Sequence, residues 1–294
     1  MVLAGAAVAW GCGPGSGGAQ SQAGTPRGLE RVGEGVVSTE RNQTFPVEDP
    51  RAPRLWLSEY GDSFDRQTIL VARETPEGWM APEVAPFSGT WGDRAPRFSP
   101  DGSQLYFTSN RPTAPGGAAG DMNIWRVARD GDGWTEPEPM GPPVNSPESD
   151  IHIAASDSAL WIPSRRAGTL GGSDLYRVPV GASEAQHVPA PLNDERSQPD
   201  LWISPDERWM ILVVTDRPGG FGGDDLWVSR SDNGTWTVPE NLGSIVNTEE
   251  YEYGPSLSRD GRHLYFTSHR SGSADVYRIP LAEVLGPDRR AVGR

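Results

Sequence analysis

The chain has 294 residues, including 36 Gly and 28 Pro, and this share argues against a helical bundle or coiled coil because both residues destabilise helix interiors. Its formal net charge is −14 and its basic residues are all arginine, so nucleic acid and anionic lipid are poor partners. A single cysteine excludes an internal disulfide framework, and the chain has no run of about 18 apolar residues, so no transmembrane span is predicted.

The first 27 residues are predicted to be an export segment followed by a tether. Residues 2–10 are apolar and lead into Gly11-Cys12, and a small residue before the only cysteine resembles a bacterial lipoprotein signal. Residues 13–22 are rich in Gly, Ser and Gln, which is typical of a flexible tether. We therefore expect an exported protein, periplasmic or anchored to the outer membrane through a lipidated Cys12. A tail without function is the alternative.

An apolar triplet recurs along the rest of the chain, at steps of 50, 55, 51 and 53 residues. A second apolar pair follows each triplet, and a turn such as Ser99-Pro100-Asp101-Gly102 precedes four of the triplets. Pro and Asp-Gly are residues that tight hairpin turns prefer. Three units end with a tryptophan and a nearby proline. The triplets are Leu55-Trp56-Leu57, Leu105-Tyr106-Phe107, Leu160-Trp161-Ile162, Ile211-Leu212-Val213 and Leu264-Tyr265-Phe266.

Each unit predicts four short antiparallel strands, which is the content of one propeller blade. The fold class is therefore all-β, a β-propeller of five four-stranded blades, since a sixth unit is not found. Residues 33–40 resemble residues 243–249 at the end of the fourth unit, and the last unit lacks this segment. Because blades bury their faces only against neighbours, we expect residues 28–40 to supply the outer strand of blade five and close the ring. The propeller domain is predicted over residues 28–285, with a tail over 286–294.

Two long segments and one shorter one carry a resemblance to a known family. Residues 98–111 read FSPDGSQLYFTSNR, residues 257–270 read LSRDGRHLYFTSHR, and residues 219–227 read GGFGGDDLW. They resemble the WD40-like repeat of TolB-type bacterial β-propellers, over about residues 28–280. The resemblance implies a propeller of the periplasm or envelope. This chain departs from the family in its longer period and in having five units where the Tol-system propeller has six.

An arginine ends the second strand and an aspartate opens the third strand in four units. An antiparallel hairpin should bring these two ends together, which predicts an ion pair across the loop base. Such a pair contributes about 0.2–1 kcal/mol when partly exposed and would mainly fix the loop. Cation binding or substrate binding by the aspartates is the alternative. The predicted pairs are Arg111 with Asp121, Arg166 with Asp174, Arg217 with Asp225, and Arg270 with Asp275.

Polar residues near the starts of the innermost strands are expected to ring the mouth of the central channel. The loops between strands two and three and the loops that cross between blades should open onto this same face. Two interpretations stay open: ordinary solvation of a rim, or a binding surface for a peptide, glycan or cation. The predicted rim consists of Trp91, Asp93, Arg94, Asp150, His152, Gln198, Asp200, Glu250 and Glu252.

Catalytic motifs are scarce in this sequence. It has no Gly-x-Ser-x-Gly motif, and its four histidines are scattered without metal-binding spacing. We predict no metal and no cofactor. We expect a monomeric, lipid-anchored propeller that binds an envelope protein, peptide or glycan. The alternative is a carbohydrate-active enzyme of the glycosidase or lyase type, which a close pair of carboxylates at the channel centre would favour.

Overall fold

A computed structural model of the chain describes residues 28–64, 66–113 and 120–286. Their strands form five antiparallel sheets, which are the blades of a propeller, so the predicted fold class is confirmed. The predicted export segment, with Cys12, lies outside the described residues, as does most of the predicted tail.

Each blade begins with its innermost strand and ends with a short outer strand. Blade one contains β2 (Asn42–Glu48), β3 (Arg54–Tyr60), β4 (Thr68–Thr75), β5 (Gly78–Trp79) and β6 (Glu83–Val84). Blade two contains β7 (Asp93–Phe98), β8 (Gln104–Ser109), β9 (Asn123–Asp130), β10 (Gly133–Trp134) and β11 (Glu138–Pro139). Blade three contains β12 (Ala154–Ala155), β13 (Ala159–Ser164), β14 (Asp174–Pro179) and β15 (Gln186–His187).

Blade four contains β16 (Leu201–Ile203), β17 (Trp209–Thr215), β18 (Asp224–Asp232), β19 (Thr235–Trp236) and β20 (Glu240–Asn241). Blade five contains β21 (Glu252–Leu257), β22 (His263–Ser268), β23 (Asp275–Pro280) and, as its outer strand, β1 (Glu30–Arg31). In blades one, two and four the outer strand comes in two pieces that pair with the same third strand. The helix α1 (Leu281–Leu285) follows β23 and packs against the core between blades four and five.

The apolar triplets form the centres of the blades. Leu55, Trp56 and Leu57 are all buried, because a middle strand has a neighbouring blade on each side. The apolar side chains form five clusters, one between each pair of adjacent blades. Trp56, for example, packs edge-on against Phe98 of blade two, with ring centroids 5.8 Å apart. These aromatic contacts between blades hold the ring together.

The ring closes as the sequence predicts. In β1, Glu30 pairs with Arg278 of β23, and the adjacent Val32 amide donates to the Val276 carbonyl at 2.9 Å. Arg31 Nη2 also lies 2.7 Å from Asp275 Oδ1. The segment that follows has the conformation of the blade-four crossing loop, since residues 33–37 and 243–247 make the same backbone hydrogen bonds. Within the described part of the chain, no helix has the length and apolarity needed to cross a membrane.

Candidate functional site

The arginines that follow the second strands form ion pairs with acids at or near the innermost strand. Arg111 Nη2 lies 2.6 Å from Asp93 Oδ1, where Asp93 is the first residue of β7. Arg166 pairs with Asp150 at 3.3 Å and Arg270 with Glu252 at 3.7 Å. In blade four Gln198 replaces this acid, and Arg217 instead lies 3.6 Å from Asp194 in the crossing loop.

Each of these three inner-strand pairs has the same accessory contacts. Arg111 Nε donates to Ser109 Oγ at 3.0 Å, and its Nη2 donates to the Phe87 carbonyl in the crossing loop. Its guanidinium also lies over the Trp125 ring, 5.3 Å from the centroid. We call an arginine, its serine and its inner-strand acid a clamp. Through the ion pair and these hydrogen bonds, the clamp joins two strands and a crossing loop.

The pairing predicted from the sequence is therefore corrected, since the acids predicted for Arg111, Arg166, Arg217 and Arg270 have other roles. Asp121 is exposed. Asp174 accepts from the Leu170 and Gly171 amides, and Asp225 accepts from those of Phe221 and Gly222. Asp275 accepts from Ser271, Ser273 and Arg31. These three aspartates hold the loop between strands two and three, and the side chain of the arginine that follows the second strand takes no part in these contacts.

The structure divides the predicted rim into three groups. Asp93, Asp150 and Glu252 are buried in clamps. Arg94, His152 and Asp200 are also buried, close to one another near the axis of the propeller, and Gln198 is buried at the position where blade four lacks a clamp acid. Trp91 is half-buried and Glu250 is exposed on the loop face, which is the face formed by the crossing loops and the strand-two-to-three loops. The carboxylates of the first group are thus unavailable to a ligand in this conformation.

Residues in or just before the inner strands of four blades meet at the axis. The Phe45 ring packs edge-on against His152 at 4.8 Å, and His152 Nδ1 lies 3.1 Å from Asp200 Oδ1. Asp200 Oδ2 accepts from the Gly254 amide at 2.9 Å. Blade two contributes Arg97, whose Nη2 lies 3.4 Å from the same carboxylate oxygen. All five blades therefore contribute to one buried cluster at the axis, four of them with polar groups and blade one with the Phe45 ring.

Burial and charge set the protonation of this cluster. Burial lowers the pKa of His152 below its usual value, and the nearby Arg94 and Arg97 guanidiniums lower it further against the opposing effect of Asp200. Burial alone would raise the pKa of Asp200, but the contact with His152, the positive charge of Arg97 and the hydrogen bond from the Leu201 amide outweigh burial and leave the pKa lowered. At neutral pH the cluster therefore contains an ionised Asp200 paired with Arg97 beside a neutral His152.

Aromatic side chains line the channel at the loop face. Tyr253 contacts Phe45 on its inner side, and its hydroxyl lies 3.2 Å from His269 Nε2. Tyr60 lies next to Tyr253 and packs against Phe64, which is 41 % exposed. Tyr251, 51 % exposed, lies against His269. We call Tyr60, Phe64, Tyr251, Tyr253 and His269 the aromatic mouth.

Asp224 lies beside the aromatic mouth and, unlike the clamp acids, has no ion pair with an arginine among the described residues. Its carboxylate accepts from Thr215 Oγ1 at 2.6 Å. Burial raises its pKa, and the negative charges of Asp216 and Asp200 raise it further. Among the described residues, no group of three or more His, Cys, Asp or Glu side chains is placed to hold a metal ion.

Arg97 and the residues of the aromatic mouth were not predicted from the sequence to belong to a candidate site. Tyr253 directly follows the predicted rim residue Glu252, Tyr60 is the last residue of the second strand of blade one, and His269 directly follows the second strand of blade five. Their common position at strand ends on the loop face is a usable signal. Arg97 carries no such signal, because a bulge between Arg94 and Arg97 decides which side chain faces the axis.

These features define a five-bladed β-propeller with the fold of TolB-type proteins. TolB from Acinetobacter baumannii matches with a TM-score of 0.50 and 16 % identity, over 82 % of this chain and 54 % of that chain. The putative TolB from Agrobacterium tumefaciens matches with a TM-score of 0.50 and 18 % identity, over 78 % of this chain and 70 % of that one. The chain thus spans about half the length of the first of these proteins.

The same fold is shared with enzymes. The Hadza microbial sialidase Hz136 matches with a TM-score of 0.52 and 12 % identity, over 86 % of this chain and 68 % of that chain. At such identities the likeness concerns the fold alone. No protein-family model matches the chain, and no curated protein matches it.

Proposed function

We propose that the protein is a binding module of the bacterial cell envelope and that its loop face binds a basic segment of an envelope protein. The observation that carries this proposal is the aromatic mouth, which lies among exposed carboxylates. Asp62, Asp216, Glu249 and Glu250 are exposed on the loops that surround it. Aromatic faces and carboxylates together attract arginine and lysine side chains.

The arrangement of Tyr251 supports a preformed surface. Gly223 lies so close to Tyr251 that a Cβ atom would come within 2.8 Å of the tyrosine ring. The His269 amide donates to the Tyr251 carbonyl at 3.1 Å, which ties the crossing loop to blade five. A partner would therefore meet a surface whose backbone is already ordered, which lowers the entropy cost of binding.

The alternative of a carbohydrate-active enzyme has weaker support. Its catalysis would need two carboxylates that face a substrate across an open site. Asp93, Asp150 and Glu252 are enclosed by clamps, and Asp200 is bound by Arg97, His152 and the Gly254 amide. The raised pKa of Asp224 would suit a general acid, so hydrolysis is kept as an outcome of the test below.

Export and lipid anchoring form the second part of the proposal. They rest on the apolar segment before Cys12 and on the tether after it. Anchoring by this tether would place the propeller at a membrane surface, where it could meet proteins of the envelope.

The test compares capture of envelope proteins by three immobilised proteins: the parent, a Glu249→Gln/Glu250→Gln variant and an Asp132→Asn/Glu136→Gln control. The control removes two exposed charges from an outer hairpin of blade two. We expect the loop-face variant to bind its main captured protein about tenfold more weakly, with a smaller salt dependence. The control should bind like the parent.

Tyr251→Ala is the matching test of the aromatic contribution and should also weaken capture. Equal capture by the parent and both loop-face variants would move the interaction elsewhere on the molecule. Hydrolysis of a defined glycan by the parent, lost in an Asp224→Asn variant that folds normally, would replace the binding proposal with the enzyme.

A further inference from the structure

A second opening of the channel lies on the face opposite the aromatic mouth. A cavity of about 320 Å³ opens there among the hairpin turns between the first and second strands. Its lining comes from all five blades and includes Val47, Arg97, Ala155, Trp202 and Ser256. This volume is at the lower end of the range of small-molecule sites.

Arg97 forms the polar floor of this cavity. Its side chain is only 5 % exposed, and its Nη1 donates to the Pro96 carbonyl. Its Nε is buried and has no hydrogen-bond partner among the described residues. A buried guanidinium with an unused donor is uncommon, because such groups are normally satisfied by protein, water or ligand.

Arg97 is not the only partner of the Asp200 carboxylate. Its two oxygens also accept from the Leu201 and Gly254 amides and contact His152. Arg97 can therefore share its guanidinium with an incoming anion while Asp200 stays hydrogen-bonded. The negative charge of Asp200 would disfavour a dianion, so the arrangement favours a ligand with a single negative charge.

The walls of the cavity are largely apolar. Phe98, Trp202, Ile203 and Leu257 line it, and Trp202 is half-buried. The carboxylate of Glu48 at the edge is occupied, since it accepts from the Tyr265 hydroxyl at 2.7 Å and from the Arg259 amide at 2.8 Å. An aromatic or aliphatic group would fit against these walls while a carboxylate reaches Arg97.

We propose that this cavity binds a small monocarboxylate with an apolar or aromatic body, whose carboxylate pairs with Arg97. The site is separate from the loop face and does not depend on the proposed function. Phe45, His152 and Asp200 occupy the axis between the two openings.

The probe is 3-phenylpropionate, titrated into the protein by calorimetry and followed by saturation-transfer NMR. Its neutral amide has nearly the same shape and should bind at least tenfold more weakly, as should the dianion phenyl phosphate. Arg97→Met should weaken binding of the carboxylate at least tenfold, and Arg97→Lys should weaken it less because the charge is kept.

A second variant keeps the test valid if Arg97→Met fails to fold. Ala155→Phe fills the cavity while leaving Arg97 and Asp200 in place, and it should abolish binding. The exposed Ser183→Phe adds a similar bulk elsewhere and should bind normally, as should Glu249→Gln/Glu250→Gln on the loop face. Lack of saturable binding at millimolar carboxylate, equal binding of the amide, or normal binding by Ala155→Phe would overturn the proposal.

Discussion

Arg111 and Asp93 form a buried ion pair between the second and first strands of blade two, with Nη2 2.6 Å from Oδ1. The Asp93 carboxylate has no solvent exposure, and its other oxygen accepts from Ser88 Oγ at 2.9 Å. A carboxylate in this position must be neutralised and hydrogen-bonded, because an unpaired buried charge is very unfavourable. The clamp is therefore a structural requirement of the repeat.

Replacing Arg111 with alanine should lower the free energy of unfolding by about 3–5 kcal/mol, since it leaves Asp93 buried without its cation. Urea denaturation gives this value directly. In the double variant Arg111→Ala/Asp93→Asn the loss should be smaller than the sum of the two single losses, because the groups are in contact. Additive losses would show that the two residues do not interact.

The Asp121→Ala variant tests whether Arg111 pairs with Asp93, as in the structure, or with Asp121, as the sequence predicts. Asp121 is exposed, so its removal should change the free energy of unfolding by no more than about 0.5 kcal/mol. A loss as large as that of Arg111→Ala would restore Asp121 as the partner.

The fold could be predicted from sequence because its signal is periodic and local. The triplets, the Asp-Gly turns and the similarity between residues 33–40 and 243–249 each report on one blade or one loop. Closure by β1 followed from that similarity without any knowledge of distant contacts.

The ion pairs could not be predicted in the same way. Ser268 at the end of β22 lies directly opposite both Glu252 and Asp275, so Arg270 has an acid on either side. The choice depends on burial and on the loop that separates the strands. Asp275 is satisfied by Arg31 and two serines, which leaves Glu252 for Arg270. Such competition is settled by residues far apart in the chain.

Gly171 is predicted to be required by a close approach of two loops. A Cβ atom there would lie 2.0 Å from the Arg196 carbonyl oxygen, so the backbone of the crossing loop would have to move. Gly171→Ala should lower the free energy of unfolding by about 1–3 kcal/mol, measured in urea. Gly141→Ala is the matched control, because nothing lies within 4 Å of its Cβ position, and it should not destabilise the protein. Equal effects of the two changes would contradict the steric explanation.

Cys12 is predicted to be the membrane anchor. Expressed in a bacterium that processes lipoproteins, the parent chain should appear in the membrane fraction and incorporate labelled fatty acid. Cys12→Ala should be released from that fraction and incorporate none, because acyl chains supply the membrane affinity. A Ser16→Ala change in the tether serves as the control. An unacylated parent in the soluble fraction would reject the anchor.

His152 should make stability depend on pH. Burial lowers the pKa of this histidine in the folded state, whereas in the unfolded chain it has its ordinary value of about 6.5. Below that value the unfolded state binds more protons, so the contribution of His152 to stability is complete above pH 6.5 and is lost as the pH falls. The slope of this loss cannot exceed about 1.4 kcal/mol per pH unit.

The charged groups around His152 are Asp200, Arg94 and Arg97, and they should stay ionised over this range. His152→Asn keeps a polar group of similar shape without a titration, so urea denaturation between pH 8 and 5.5 should show a shallower loss than in the parent. Glu252 and Asp224 have raised pKa values and therefore favour the folded state as the pH falls. Both proteins contain these two acids, so their effect cancels when the free energy of unfolding of the variant is subtracted from that of the parent. Identical pH dependence in the parent and the variant would mean that His152 does not titrate differently on folding.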